Sequence, residues 1–547
     1  MTIKYTKEQL NKFDKDLLIE LFLGMQGQME ELSRQTQALN DRMQLMMEQM
    51  VLFQKNRFGR SSEKMADSEQ IRFMEVDGTI VFFNEAEAVC DLDAPEPDDL
   101  ELKAPKKKKQ PGKKAADIAG LTVKRIDHYL KEEELTAEFG ENGWKQLPDA
   151  ISRCYQFIPA SVVIEEHHIG VYSSKLDEHM IKAPHPRNLL HGSLVSPSLA
   201  AAVINGKYVN AVPLYRLEKE FERYGLAITR QNMANWMIRL GEEYLGTMYD
   251  YLHKLLYDYH VIQADETPVL VNKDGRPAGS QSYMWVYRSG FMYRDRQIIL
   301  YEYQKTRNAS HPRNFLKNYT GICVTDGYQV YHTLEKEREN LKIAGCWVHC
   351  RRRFNDALEV IPKAHRKESI LHLIMKQIQA IYREEGKLSD FSTEDRLMQR
   401  QLVVKPLVDA FFAYLKQNEP KIPKNGKIRE AFTYALNQES YLKVFLEDGD
   451  VPIDNNASER AIRGFCIGKK NWEMIDTVNG ANSSAIIYSI AETAKANNLK
   501  PFDYFEYLLT EIPKHVDDKN IDFLAELLPW SDMLPENIRK PQKASGK

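Results

Sequence analysis

Between Tyr259 and Phe354 the hydrophobic pattern changes period in a fixed order, and that order restricts the fold more than any other feature of the chain. Extended runs at Val261–Val271, Tyr283–Arg288 and Gln297–Tyr303 precede a helical stretch at Ala309–Tyr319. A further extended run at Ile322–Thr325, a short helix and a last strand at Leu341–Trp347 follow. The first run, "YHVIQADETPVL", is apolar until it reaches Asp265 and Glu266 and is closed by Thr267-Pro268. It reads as a buried strand carrying a carboxylate to a sheet edge. Two later stretches also end on acids, "GICVTDGY" at Asp326 and "IDNNASERAI" at Glu459.

Three strands, a helix and a fourth strand are the layout of a ribonuclease-H-like mixed sheet, in which the first and fourth strands lie side by side. That arrangement would bring Asp265 and Asp326 together. Carboxylates sharing divalent ions roughly 4 Å apart can activate water or a 3′-hydroxyl and stabilise the leaving oxygen of a phosphodiester. The residues alone leave three choices open. Asp265 and Glu266 are adjacent on a strand, so only one can face the metal. Asp326-Gly327 also reads as a simple turn opener. The third ligand is Glu459, Asp454 or none, because Asn456 and Glu459 have capping-box spacing and Glu459 can pair with Arg463 one turn on.

At 547 residues the chain is too long for one core. Residues 1–56 carry a heptad seam of Leu18, Met25, Leu32, Leu39, Met46 and Phe53, with Phe22, Met29, Thr36, Met43 and Met50 between them, the pattern of a self-associating coiled coil. Residues 57–116 join a basic turn to a flexible linker whose acidic and lysine-rich halves cannot form a core. Residues 117–188 form a small mixed module, in which His167-His168 would point to opposite faces of a strand. Residues 189–250 are helix-turn-helix-like: Ser196-Pro197, Gly225 and Thr229 punctuate the helices, and the last of them offers Arg230, Gln231 and Asn232 to DNA. An α/β core occupies 251–354, a helical insertion 355–450, the end of the core with the third acid 451–512, and a tail 513–547. Arg351, Arg352 and Arg353 after the fifth strand, and Lys469 with Lys470, border the acids and are candidate phosphate contacts. Cys346 and His349 are only half a zinc site by spacing, so no zinc is expected.

The balance of 75 Lys+Arg against 78 Asp+Glu does not by itself announce a nucleic-acid partner. Six scattered cysteines suit a reducing compartment. The polar N-terminus and the lack of an apolar run of roughly 20 residues point to a cytoplasmic protein without a membrane partner.

Taken together and in order, "FGRSSEK" (58–64), "KYVNAVPLYRLEKEFERYG" (207–225), "ADETPVLV" (264–271), "VTDGYQVY" (324–331), "GCWVHCRRRF" (345–354), "IDNNASERAIRGFCIGKKNW" (453–472) and "KPFDYFEYLL" (500–509) resemble the transposase of the IS66 family of insertion sequences. The resemblance implies a DDE transposase with a ribonuclease-H-like core and the triad Asp265, Asp326 and Glu459. It further implies Mg²⁺, with Mn²⁺ able to substitute, and terminal inverted repeats and target DNA as partners. A homo-oligomer, small accessory proteins of the same element, and a bacterial, nucleoid-associated location complete the picture. Family members often carry a zinc module with paired cysteines before the helix-turn-helix. Here "VYSSKLD" offers Ser173 and Ser174 instead. The alternative function is a transposase-derived protein that binds DNA and assembles without cutting.

Overall fold

The computed structural model describes residues 73–76, 79–82, 130–141, 160–173, 180–184, 187–277, 279–518 and 520–541. The heptad seam, the basic turn and the lysine block lie outside them. The chain divides into one unit of residues 56–160 with 541–547 and another of 1–55 with 161–540.

In the first unit, Phe73–Val76 and Thr79–Phe82 pair as an antiparallel hairpin. The sequence reading does not anticipate it, although the intervening Asp77-Gly78 is a favoured two-residue hairpin dipeptide. A helix at Glu132–Phe139 opens with three acids, which suit the positive end of its dipole.

The second unit is built on one mixed sheet of β1 (Val261–Lys273), β2 (Gln281–Ser289), β3 (Ile299–Gln304), β4 (Gly321–Thr325), β5 (Leu341–Gly345) and β6 (Met474–Thr477). The order across the sheet is β3-β2-β1-β4-β5, with β6 paired to the far end of β1. β2 is antiparallel to both of its neighbours, β1 and β3, whereas β4 runs parallel to β1 and β5 parallel to β4. The burial of β1 explains its central place. Val261 to Ala264 are buried on both faces, and from Thr267 onward buried and exposed residues alternate. Pro268 is paired with Tyr283 of β2, and it falls on the other side after β1 has left β4 and before β6 joins at Leu270.

Among the described residues of this unit, four α-helices precede the sheet: α1 (Pro197–Ile204), α2 (Leu214–Arg223), α3 (Arg230–Leu240) and α4 (Gly246–Leu256). Their punctuation follows the sequence. Ser196 Oγ accepts from Leu199 N–H at the start of α1, and Gly225 takes a positive φ of 82° after α2. α5 (Ser310–Phe315) and α6 (Gln329–Glu337) lie between strands, and α5 is shorter than its hydrophobic pattern predicts. The fifth strand ends at Gly345 rather than Trp347, because Cys346 is already the N-cap of α7 (Trp347–Val360).

The insertion continues through α8 (Ile370–Gly386), α9 (Thr393–Gln399), α10 (Lys405–Asn418), α11 (Lys427–Asn437) and α12 (Glu439–Lys443). Trp347, Phe354, Phe411, Phe412 and Phe445 form its core together with Val261, Ile322, Val324 and Ala344 of the sheet. Its two ends meet: Trp347 N–H donates to the carbonyl of Ile453 at 3.2 Å.

Three helices complete the unit: α13 (Asn456–Trp472), α14 (Val478–Ala496) and α15 (Pro501–Glu511). α14 covers the open edge of β3 with side chains in place of a strand. Thr493 Oγ1 both accepts from Ile299 N–H and donates to its carbonyl at 3.0 Å, and Ser489 Oγ accepts from Tyr301 N–H at 2.7 Å. The segment expected as a tail is folded onto α15: Leu524, Leu527, Leu528, Leu534 and Ile538 are buried, and Tyr504 donates to the carbonyl of Leu527. Among the described residues no helix is long and apolar enough to cross a membrane.

Candidate active site

Parallel pairing sets the first two acids. Val261, Ile262 and Gln263 lie beside Ile322, Cys323 and Val324. Carried two residues on, that register brings Asp265 level with Asp326, the residue that follows β4. Burial pushes the Asp265 carboxyl up to about 8, helped by the negative fields of Glu266, Asp326 and Glu459 and opposed by a hydrogen bond from Glu266 N–H at 2.9 Å. Burial and Asp326 likewise raise Glu266 to about 7, against the pull of Arg307. Glu266 Oε1 accepts from Arg307 Nε at 2.7 Å, and that guanidinium lies 3.8 Å from the ring centre of Tyr328. The neighbouring acids are therefore treated differently: Glu266 has a bound cationic partner, and Asp265 is crowded by other acids.

Asp326 is a turn residue and a member of the acid group at once. Its Oδ1 accepts from Tyr328 N–H at 2.9 Å while Gly327 takes a φ of 89°, a conformation favouring glycine. The insertion holds this turn from outside, because Tyr434 donates to the carbonyl of Asp326 at 2.9 Å. A Cβ at position 327 would lie 2.9 Å from that same hydroxyl.

The third acid is carried by the start of α13, which is anchored to β1. Asn455 is the N-cap but makes no side-chain cap bond. Its Nδ2 donates to the carbonyl of Ala264 at 2.8 Å and its Oδ1 accepts from Gln263 Nε2 at 3.0 Å, all fully buried. The capping box of Asn456 with Glu459 does not form, because the Asn456 backbone and side chain both donate to Asp454, at 3.1 and 2.9 Å. Glu459 is left with Oε1 buried and without a partner, and with Oε2 3.6 Å from Arg352, not in the alternative pair with Arg463. Asp454 exerts its field on Cys346 and Tyr382, whereas Glu459 exerts its own on Asp265 and His349.

His349 is the residue the sequence reading placed only in half a zinc pair. Its Nδ1 is buried without a partner, and its pKa is lowered by burial and pulled back by Asp326 and Glu459. Cys346 faces elsewhere: it accepts from Asn455 N–H at 3.2 Å, and burial pushes its thiol up to about 12. The spacing of His349 and Arg352, three apart on one helix face, was the available signal.

The basic candidates divide. Arg351 lies 6.0 Å from the ring centre of Tyr382, Arg352 stands beside Glu459, and Arg353 lies 4.4 Å from the ring centre of Tyr434. Lys469 is used locally, donating to the carbonyl of Pro268 at 2.6 Å, while Lys470 is exposed. At the start of α3, Asn232 is tied into a capping box with Thr229, Arg230 lies 6.0 Å from the ring centre of Tyr215, and Gln231 is exposed.

Among the described residues no three His, Cys, Asp or Glu side chains are gathered into a finished metal-holding group. The donors nevertheless fit a hard divalent cation. They are carboxylate oxygens, Glu459 Oε1 is buried without a partner, and the crowding at Asp265 is of the kind that a cation relieves.

Comparison with known proteins bears on this geometry. The family model described as Transposase IS66 family matches residues 192–483, and the IS66 C-terminal element matches 489–530. A third model, Transposase C of IS166 homeodomain, matches residues 45–126. Uncharacterized protein y4qI of Sinorhizobium fredii is 28% identical over 369 residues, 66% of this chain and 67% of its own length. Uncharacterized protein y4jD of the same organism is 24% identical over 433 residues, 76% and 82% of the two chains.

Proposed function

Because the chain belongs to the IS66 transposase family, we propose that it cuts and joins DNA at the terminal inverted repeats of its own element, with Asp265, Asp326 and Glu459 as a DDE triad. The observation that carries this reading is the convergence of three acids from distant parts of the chain on one buried field, in which Asp265 is raised by both Asp326 and Glu459. The strand order, three antiparallel strands continued by two parallel ones, supports a ribonuclease-H-like core.

Asp265, Asp326 and Glu459 would hold Mg²⁺, or Mn²⁺ in its place. Bound there, the metal would make a water or a 3′-hydroxyl a better nucleophile and offset charge on the phosphate. The protein's own residues orient these acids. Asn455 and Gln263 tie the Glu459 helix to β1, Tyr434 and Gly327 fix the Asp326 turn, and Arg307 keeps Glu266 engaged away from the reaction. Arg352, beside Glu459, is placed to take a phosphate oxygen. Arg230, Gln231 and Arg351 are further DNA contacts in this reading, and copies associate through the heptad seam, with accessory proteins of the element as additional partners.

The alternative is a derived protein that binds DNA without cutting. Cleavage of DNA bearing the element's ends, with Mg²⁺ and with EDTA, separates the two. Wild type should cut only with Mg²⁺, Asp265→Ala should bind without cutting, and Glu266→Gln should still cut. Cutting that survives Asp265→Ala would reject the triad.

A further inference from the structure

Arg307 stands in the short loop between β3 and α5, and that loop is pinned on both sides of it. Thr306 Oγ1 lies 2.8 Å from His311 Nε2, and Asn308 Oδ1 accepts from Ser310 N–H at 2.9 Å. Tyr328 then holds the residue itself. Its hydroxyl donates to the Arg307 carbonyl at 2.6 Å, and its ring centre lies 3.8 Å from the guanidinium. The backbone N–H of the same Tyr328 donates to Asp326 Oδ1, so Arg307 and the Asp326 turn share one support.

How the guanidinium spends its donors is a second observation. Nε and Nη2 both turn to a single oxygen, Glu266 Oε1, the former at 2.7 Å. The Glu266 side chain is 3% exposed and that of Arg307 38% exposed, so a buried acid orients a cation that still reaches solvent. Nη1 makes no hydrogen bond among the described residues, which leaves the fork one unspent edge. A planar guanidinium already stacked and oriented loses little freedom on forming a further bond, and its fork matches phosphate oxygens. Asp326 acts on both Glu266 and Arg307, which sets this cation on the flank of the acid group. Burial and Asp326 raise Glu266 to about 7, so near neutral pH it offsets only part of the charge that it holds.

We propose that Arg307 binds a phosphate of the DNA strand that passes Asp326, next to the bond that is cut. One edge of its guanidinium stays on Glu266 while Nη1 donates to a non-bridging oxygen. The inference rests on the transposase reading for the identity of the strand. It adds a phosphate contact on the side of the acids away from Arg352, from a loop that no motif marks.

The test uses the full chain with Ca²⁺ in place of Mg²⁺ and duplexes bearing the element's end. In each duplex one phosphate at the junction with flanking DNA is replaced by a neutral methylphosphonate. For wild type, one of these replacements should weaken binding about tenfold through loss of a charge-assisted bond. Arg307→Ala should bind the unmodified duplex about tenfold more weakly and lose nothing further at that one position, while staying sensitive to the others. Its salt dependence should fall by about one phosphate contact. Arg307→Ala/Glu266→Gln, which leaves no buried acid without its partner, should show the same pattern. Losses that add at every position, or a wild type indifferent to every replacement, overturn the contact. Additive losses in a chain that cuts with Mg²⁺ reject Arg307 and keep the transposase. The non-additive pattern in a chain that never cuts keeps the phosphate contact and rejects the cutting.

Discussion

Asp265 and Glu266 are neighbours of similar burial, both raised by burial and by Asp326, and only Glu266 has a bound cation, a difference that the local sequence does not carry. Strand periodicity establishes that they point to different faces, but Arg307, which engages Glu266, comes from a loop after β3 that no local pattern assigns to that face. The capping-box spacing of Asn456 and Glu459 misleads for a similar reason: Asn455 spends its amide on β1, a contact invisible to a helix-start rule. A pH prediction follows for Asp265. Its unfolded pKa is about 3.9 and its folded value about 8, so between these limits the folded state keeps a proton that the unfolded state has lost. Without metal, stability should therefore fall as pH rises from about 4 to about 8. Thermal melts in EDTA should show a steeper decline for wild type than for Asp265→Asn across pH 5.5 to 8, and Mg²⁺ should stabilise wild type most at the alkaline end. Parallel profiles for the two proteins would remove the assignment of this shift to Asp265.

At the level of elements, periodicity found nearly all of the sheet because each strand carries its own apolar run, and it placed the first strand from Val261 as observed. What it could not find was tertiary in origin: the shortening of α5, the sixth strand at Met474–Thr477, and the cover that α14 provides for β3. The stripe "LHLIMKQIQAIYREE" is core, as its spacing suggested, with Leu371, Ile374, Met375, Ile378 and Ile381 buried. The insertion also contains a polar element in that core. Arg400 is fully buried and its Nε lies 3.1 Å from both carboxylate oxygens of Glu385, while Nη1 donates to the carbonyls of Phe445 and Asp448. Removing one partner leaves a buried charge uncompensated, a loss of about 3–5 kcal/mol. Arg400→Met should lower the urea midpoint accordingly, and adding Glu385→Leu should recover part of it; an unchanged midpoint in the single variant would contradict the role given to this pair.

For the whole molecule, near-neutral composition conceals how charge is distributed. Arg351, Arg352 and Arg353 follow one another on α7, and Arg352 stands beside Glu459, so the DNA reading comes from placement and not from net charge. Assembly is the property that the first 56 residues alone carry in the sequence. A chain beginning at residue 57 should assemble into fewer copies than the full chain when sized by analytical ultracentrifugation; the same number of copies would assign self-association elsewhere. The helical insertion begins and ends at one junction. It leaves the sheet after Gly345 and returns at Asn455, and its ends are fastened to each other through Trp347 with Ile453 and Cys346 with Asn455. Since closing a longer loop costs only about the logarithm of its length, the junction works like a clasp: what hangs from it can differ in length while the acids on either side keep their places.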